Sequence, residues 1–150
     1  MIAVDDPRAA DVRALLARHL AFARGHTPPE DAHALDVDGL TDPAVTLFGL
    51  RRDGELLGVA ALKELDPRHG EVKSMHTAEA ARGRGVARAL LDHLMAVARE
   101  RGYERLSLET GAQPAFAPAR ALYARTGFEE CAPFGSYAPS RNSTFMTRTL

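Results

Sequence analysis

Between residues 44 and 77, three strand-like runs follow one another with almost no chain between them. Residues 44–51 read Ala-Val-Thr-Leu-Phe-Gly-Leu-Arg, and 55–64 form a second apolar run. The pair between them, Asp53-Gly54, is a strong two-residue hairpin signal, because that turn needs positive φ at both positions. Pro67 to Gly70 make a second turn, and 71–77 a third strand. Parallel neighbours need a crossover of a dozen or more residues. These gaps are far shorter, so the three runs form an antiparallel meander, and the fold must be built around it.

The chain then changes period. Residues 83–101 carry an apolar stripe at Ala87, Leu90, Leu91, Leu94, Val97 and Ala98, the spacing of a long amphipathic helix ended by Gly102. A short strand follows at 105–109. Strand, helix, strand implies a parallel pair with a right-handed crossover. Before the meander, residues 1–4 read as a strand. Asp5 or Asp6 caps a helix with Pro7 just inside it, Val12, Leu15, Leu16, Leu20 and Ala23 form its apolar face, and Gly25 stops it. Thr27-Pro28-Pro29-Glu30 opens a shorter helix with Thr27 as cap, and 36–40 read as loop. After residue 109 come a helix over 115–126 ended by Gly127, and strands at 128–132 and 143–149. The order is β-α-α-β-β-β-α-β-α-β-β. It predicts a mixed α/β (α+β) domain with a mostly antiparallel sheet of seven strands and four helices. With 150 residues, the chain is expected to be one domain, 1–150.

Composition narrows the function. Lys and Arg total 19 against 20 Asp and Glu, a net charge of −1, which lacks the basic excess of a nucleic-acid binder. Cys131 is the one cysteine, so neither an internal disulfide nor a Cys-rich zinc site is available, and no metal motif appears. The N-terminus lacks the basic start and apolar core of a signal peptide, and no run approaches a membrane span. A cytoplasmic protein without membrane or nucleic-acid partners is the expectation.

The chemistry concentrates at Arg82-Gly83-Arg84-Gly85-Val86-Ala87, where a strand turns into the long helix. Gly83 and Gly85 permit positive φ and close approach of a ligand. The unpaired first amides of the helix and its dipole make an anion site suited to phosphate. Arg82, Arg84 and Arg88 add charge. The lysine and hydroxyl end of a Walker loop is missing, and so is the dinucleotide-binding Gly pattern.

Arg82-x-x-Gly85-x-Ala87 resembles the Q/R-x-x-G-x-G/A signature of the GNAT superfamily of N-acetyltransferases. A second segment, Leu122-Tyr123-Ala124-Arg125-Thr126-Gly127-Phe128, is similar to that family's L-Y-x-x-x-G-F stretch. The strings Lys73-Ser74-Met75-His76-Thr77 and Ser107-Leu108-Glu109-Thr110-Gly111 resemble a small bacterial YsnE-like subgroup. The resemblance implies a GNAT-type fold and acetyl-coenzyme A as co-substrate. It implies that Arg82, Gly83, Arg84, Gly85, Val86 and Ala87 hold the pyrophosphate. Met75, His76 and Thr77 would lie along the pantetheine arm, in a gap where strands 4 and 5 splay apart. Tyr123 would be the general acid that protonates the leaving thiolate. Many relatives carry Asn after strand 5; here that contact falls to Gln113 or is absent. Homodimers are common among relatives.

The acceptor amine must lose a proton, and three residues are candidates for the base. Glu71 stands where the histone acetyltransferase branch of the family carries its catalytic Glu. Glu109 ends strand 5 at the expected acceptor mouth. His76 has a suitable pKa, but strict strand alternation turns it away from Glu71 and Met75. Cys131 is expected to be buried on the sixth strand. The implied reaction is direct acetyl transfer to a primary amine of a small polar molecule or amino acid. A catalytically silent acyl-coenzyme A-binding module and a protein lysine or N-terminal acetyltransferase remain open beside it.

Overall fold

The structure, a computed structural model, describes residues 1–150. Its strands are β1 (Ile2–Val4), β2 (Val45–Arg52), β3 (Glu55–Asp66), β4 (His69–Thr77), β5 (Arg105–Gly111), β6 (Glu129–Glu130) and β7 (Ser143–Thr149). Its helices are α1 (Ala10–His26), α2 (Val37–Leu40), α3 (Val86–Glu100) and α4 (Ala117–Arg125). One sheet contains every strand in the order β1-β2-β3-β4-β5-β7-β6. Only β4 and β5 are parallel; all other pairs are antiparallel. The mixed, mostly antiparallel architecture is the expected one.

The Asp53-Gly54 turn has φ of 52° and 81°, as a hairpin of that type requires. Side chains then alternate between two cores. Ala60 and Leu62 meet α3 residues Leu90, Leu91 and Leu94 in the larger cluster, and Val59 and Ala61 meet α1 residues Val12, Leu15 and Leu16 in the smaller one. Helix α3 lies so close to β3 that a Cβ at Gly58 would stand 2.7 Å from Val86 Cγ1. Glycine is therefore needed there for contact rather than for flexibility.

Several element ends differ from expectation for identifiable reasons. Helix α1 starts at Ala10 and has no side-chain cap. Asp5 is engaged by Arg51 Nε at 2.9 Å, and Asp6 accepts from the Arg8 amide, so neither caps the helix. The helix runs through Gly25 and leaves off at Thr27, which is extended before Pro28. The expected helix at Thr27 shrinks to a 3-10 turn, Pro29–Asp31, without a Thr27 cap. Residues 36–40, read as loop, hold a single helical turn, because the Asp36 carboxylate accepts from the Gly39 amide at 2.8 Å. Helix α3 begins at Val86, since Gly83 and Gly85 lie at φ 79° and 77°, outside right-handed helical space. A 3-10 turn, Pro114–Phe116, precedes α4. Strand β6 is two residues long, and Cys131 follows it half-buried rather than buried on a strand.

The most consequential departure lies inside β4. Lys73 pairs with Ala61 and His76 with Val59, so three steps on β4 oppose two on β3. The extra residue makes a β-bulge, with Ser74 at φ 54°. Strict alternation would turn His76 away from Glu71. The bulge cancels that step, and His76 joins Glu71 and Lys73 on the α1 face of the sheet. The sequence expectation for His76 is corrected accordingly.

Candidate active site

Strands β4 and β5 pair from His69 with Arg105 to Val72 with Leu108, and no further. Beyond Val72 the β4 edge facing β5 has no strand partner. The gap opens into a cavity of about 760 Å3, bounded by α1, β4, β5, α3 and α4. Its lining includes Glu71, Met75, His76, Thr77, Arg82, Gly83, Gly85, Val86, Ala87, Glu109 and Tyr123. The chain therefore brings together nearly all the residues the motifs singled out. Arg84 is the exception: it is exposed and outside the lining. Gln113 also stands outside it, with Nε2 donating to Asn142 Oδ1 at 3.2 Å and Oε1 buried without a partner.

One end of the cavity is cationic. A Cβ at Gly83 or Gly85 would meet nothing within 4 Å, so these glycines are required by φ alone and leave the amides of the first α3 turn open. Arg82 and Arg88 flank this turn and line the cavity, as does Arg125 on α4. Amides, helix dipole and guanidinium groups together suit a phosphate group.

The opposite end is acidic and hydrogen-bonded across the chain. Glu71 is 2% exposed, and its Oε2 accepts from Tyr137 Oη at 2.6 Å and from Lys73 Nζ at 3.3 Å. Lys73 Nζ also donates to Tyr137 Oη at 2.8 Å. Burial, and then the neighbouring Glu71 charge, push the Tyr137 phenol above its ordinary pKa. Both oxygens of Glu109 lie within hydrogen-bond distance of His33 Nδ1, at 2.7 and 2.9 Å. Asp31 accepts from Ser140 Oγ and Asn142 Nδ2, both at 2.9 Å, and these bonds hold its carboxyl below the usual range.

Between the two ends sits Tyr123, buried against Phe128 with ring centroids 5.9 Å apart. Its Oη has no protein partner, and burial pushes the phenol up to about 12. Such a group remains protonated at neutral pH and can donate. Beside the bulge, His19 and His76 approach Nδ1 to Nδ1 at 3.3 Å. Burial first, then His76 and Lys73, bring His19 down to about 4. Burial, then Arg82 and Arg18, lower His76.

Sequence reasoning missed His19 and Lys73 as site residues and left Tyr137 as an unassigned pocket candidate in the segment before the last strand. His19 had a signal: it lies four residues after Leu15 and seven after Val12, on the buried face of α1. Lys73 shares a face with Glu71 by simple alternation. The partner of Tyr137 had no sequence signal, because Tyr137 sits in the irregular segment between β6 and β7 and reaches Glu71 only through the tertiary fold.

The fold and site can be set beside known proteins. The family model "Acetyltransferase (GNAT) family" matches residues 10–128. The chain is 46% identical over 149 residues to the uncharacterized N-acetyltransferase YsnE of Bacillus subtilis, covering 99% of each. A solved acyl-CoA N-acyltransferase structure from Klebsiella pneumoniae, so assigned by its description, superposes with a TM-score of 0.85 at 30% identity, over 100% of this chain and 97% of that one. A GNAT family acetyltransferase from Elizabethkingia anophelis, solved with acetyl-CoA bound, shares the fold with a TM-score of 0.73 at 17% identity, over 100% and 97%. With the matched model spanning most of its length and the arginine–glycine turn in place at the head of α3, the chain belongs to the GNAT family of acetyltransferases.

Proposed function

We propose that the protein transfers an acetyl group from acetyl-coenzyme A directly to a primary amine of a small polar molecule or amino acid. The observation that carries this reading is the divided cavity. Its cationic end lies at the start of α3, its acidic end at the mouth of β5, and the unpaired β4 edge joins them.

The donor fits that division. The pyrophosphate would sit on the amides from Gly83 to Ala87, with Arg82 and Arg88 neutralising it. The amide-bearing pantetheine arm would hydrogen-bond along Met75, His76 and Thr77 as a strand does. The thioester would then lie at the bulge. A backbone amide there can stabilise the oxyanion formed when the amine attacks. Tyr123 holds a proton for the departing thiolate. A free alkyl amine has a pKa near ~10, so it arrives as a cation and must be deprotonated. Glu71, Glu109 and Asp31 supply the negative potential that attracts it.

Thermal unfolding tests the donor assignment. Acetyl-coenzyme A, binding only the folded chain, should stabilise it by about 2.7 kcal/mol at one hundred times its dissociation constant. ATP at the same concentration should have little effect. No shift at millimolar acetyl-coenzyme A overturns the assignment. Thiol release during a screen of primary amines then identifies the acceptor.

A further inference from the structure

The carboxylates at the acidic end are engaged by different partners. Glu71 Oε2 already accepts from two donors, Tyr137 Oη and Lys73 Nζ. Those two donors crowd that oxygen, and the residue is only 2% exposed. Glu109 directs both oxygens at one ring nitrogen, His33 Nδ1. Besides the carboxylate oxygens that carry no partner, Glu71 Oε1 and Asp31 Oδ1, the cluster offers one open imidazole nitrogen. His33 Nε2 makes no hydrogen bond within the protein, and His33 lines the cavity, with its side chain 35% exposed.

We infer that His33 is the general base of the transfer and that Glu109 is its positioning residue. The inference rests on the acetyltransferase reading above and specifies how the acidic end performs its part. Contact with Glu109 fixes the proton on Nδ1 and leaves Nε2 open toward the acceptor, the logic by which a carboxylate orients a catalytic imidazole. Two further features hold the ring. Tyr137 packs on it with centroids 5.0 Å apart, and Asp31, two residues earlier, is tied to Ser140 and Asn142. The charged and titratable groups around His33 are thus Glu109 on β5, Asp31 on its own segment, and Tyr137 with its partners Glu71 and Lys73 on β4.

The proton account closes. The cationic amine gives one proton to His33 Nε2, and its nitrogen bonds to the thioester carbonyl carbon. Collapse of the tetrahedral intermediate breaks the carbon–sulfur bond, and the thiolate takes the Tyr123 phenol proton. The second amine proton restores Tyr123 through water, and His33 releases its proton to solvent. The balance is one amide, one thiol and one proton released.

Two measurements test the assignment. The first needs no acceptor. In protein labelled with 15N-histidine, at a pH where His33 is neutral, its ring should show a protonated Nδ1 and a bare Nε2. Glu109→Ala should return it toward the Nε2-protonated form that an unconstrained neutral imidazole prefers. A His33 that is Nε2-protonated in the unaltered protein, or indifferent to Glu109→Ala, overturns the inference. The second compares His33→Gln with the parent using acetyl-coenzyme A and phenethylamine, putrescine and lysine as probe acceptors. Acetyl-coenzyme A binding by calorimetry should be kept. Turnover at pH 7 should fall on the order of 10²-fold and recover toward pH 10, where free amine is abundant. Parent-like turnover with a parallel pH profile overturns the role of His33. Failure of the parent itself to bind acetyl-coenzyme A overturns the acetyltransferase reading instead. If none of the three amines is acetylated, or if the variant loses coenzyme binding, the tautomer spectrum decides alone.

Discussion

Tyr123 illustrates how burial prepares a single side chain for one task. Its phenol is raised to about 12 because the surrounding apolar wall disfavours the phenolate. In the proposed reaction that proton is held for the departing thiolate. Tyr123→Phe should lower kcat on the order of 10²-fold while leaving acetyl-coenzyme A affinity unchanged, a difference that stopped-flow thiol detection and calorimetry together read. Equal turnover would leave Tyr123 with its packing role on Phe128 alone. Glu71 shows the opposite arrangement, a nearly sealed carboxylate with one oxygen tied to two donors. Tyr137→Phe removes one of those donors and should slow turnover more than it weakens coenzyme binding, because Tyr137 touches the acidic end only.

At the scale of elements, the arginine–glycine turn and the β4 bulge matter most. Gly85 lies at φ 77° with open space around it, so a bulky residue there both strains the turn and fills the space proposed for phosphate. Gly85→Trp should raise the acetyl-coenzyme A dissociation constant well over tenfold, as titration calorimetry would show. The turn was legible in the sequence because its glycines and arginines declare their conformations and charges locally. So was the meander, through Asp53-Gly54 and its alternating flanks. The bulge was not legible. Ser74 carries no turn signature, and its left-handed backbone is imposed by the pairing of β4 with β3. One unpredicted residue therefore put His76 on the wrong face in the sequence reading. The pairing of residues at the acceptor end was hidden for a related reason. His33 and Glu109 are 76 positions apart and Tyr137 and Glu71 66, and only the closed sheet brings them together.

For the whole molecule, the paired histidines link stability to pH. His19 falls to about 4 in the folded chain from an ordinary 6.5. Between those values the unfolded chain binds more protons than the folded one, so stability rises with pH across that window and is lost as pH falls through it. His76 is lowered in the same direction. Denaturant titrations between pH 4 and 6.5 should show this slope, and His19→Phe should flatten it. The change expected from His19 alone is roughly 2 kcal/mol across the window. The larger core supplies a contrasting, pH-independent term. Leu94 is fully buried between α3 and the sheet, and Leu94→Ala should cost about 2–5 kcal/mol at any pH in the same titrations.

The abbreviated pairing of β4 with β5 divides the molecule mechanically. Four residue pairs join the block β1–β4 to the block β5, β7, β6, and the rest of that seam is open. An exposed sheet border invites other chains to add on to it. Here the border faces a cavity lined by residues of α1 and α4, the path proposed for the amide-bearing arm. In the proposed reaction, donor loading then extends the sheet at this edge. Those amide hydrogens of residues 73–77 that point away from β3 should exchange faster in the empty protein than the ones bonded to β3, and should slow once the donor is seated.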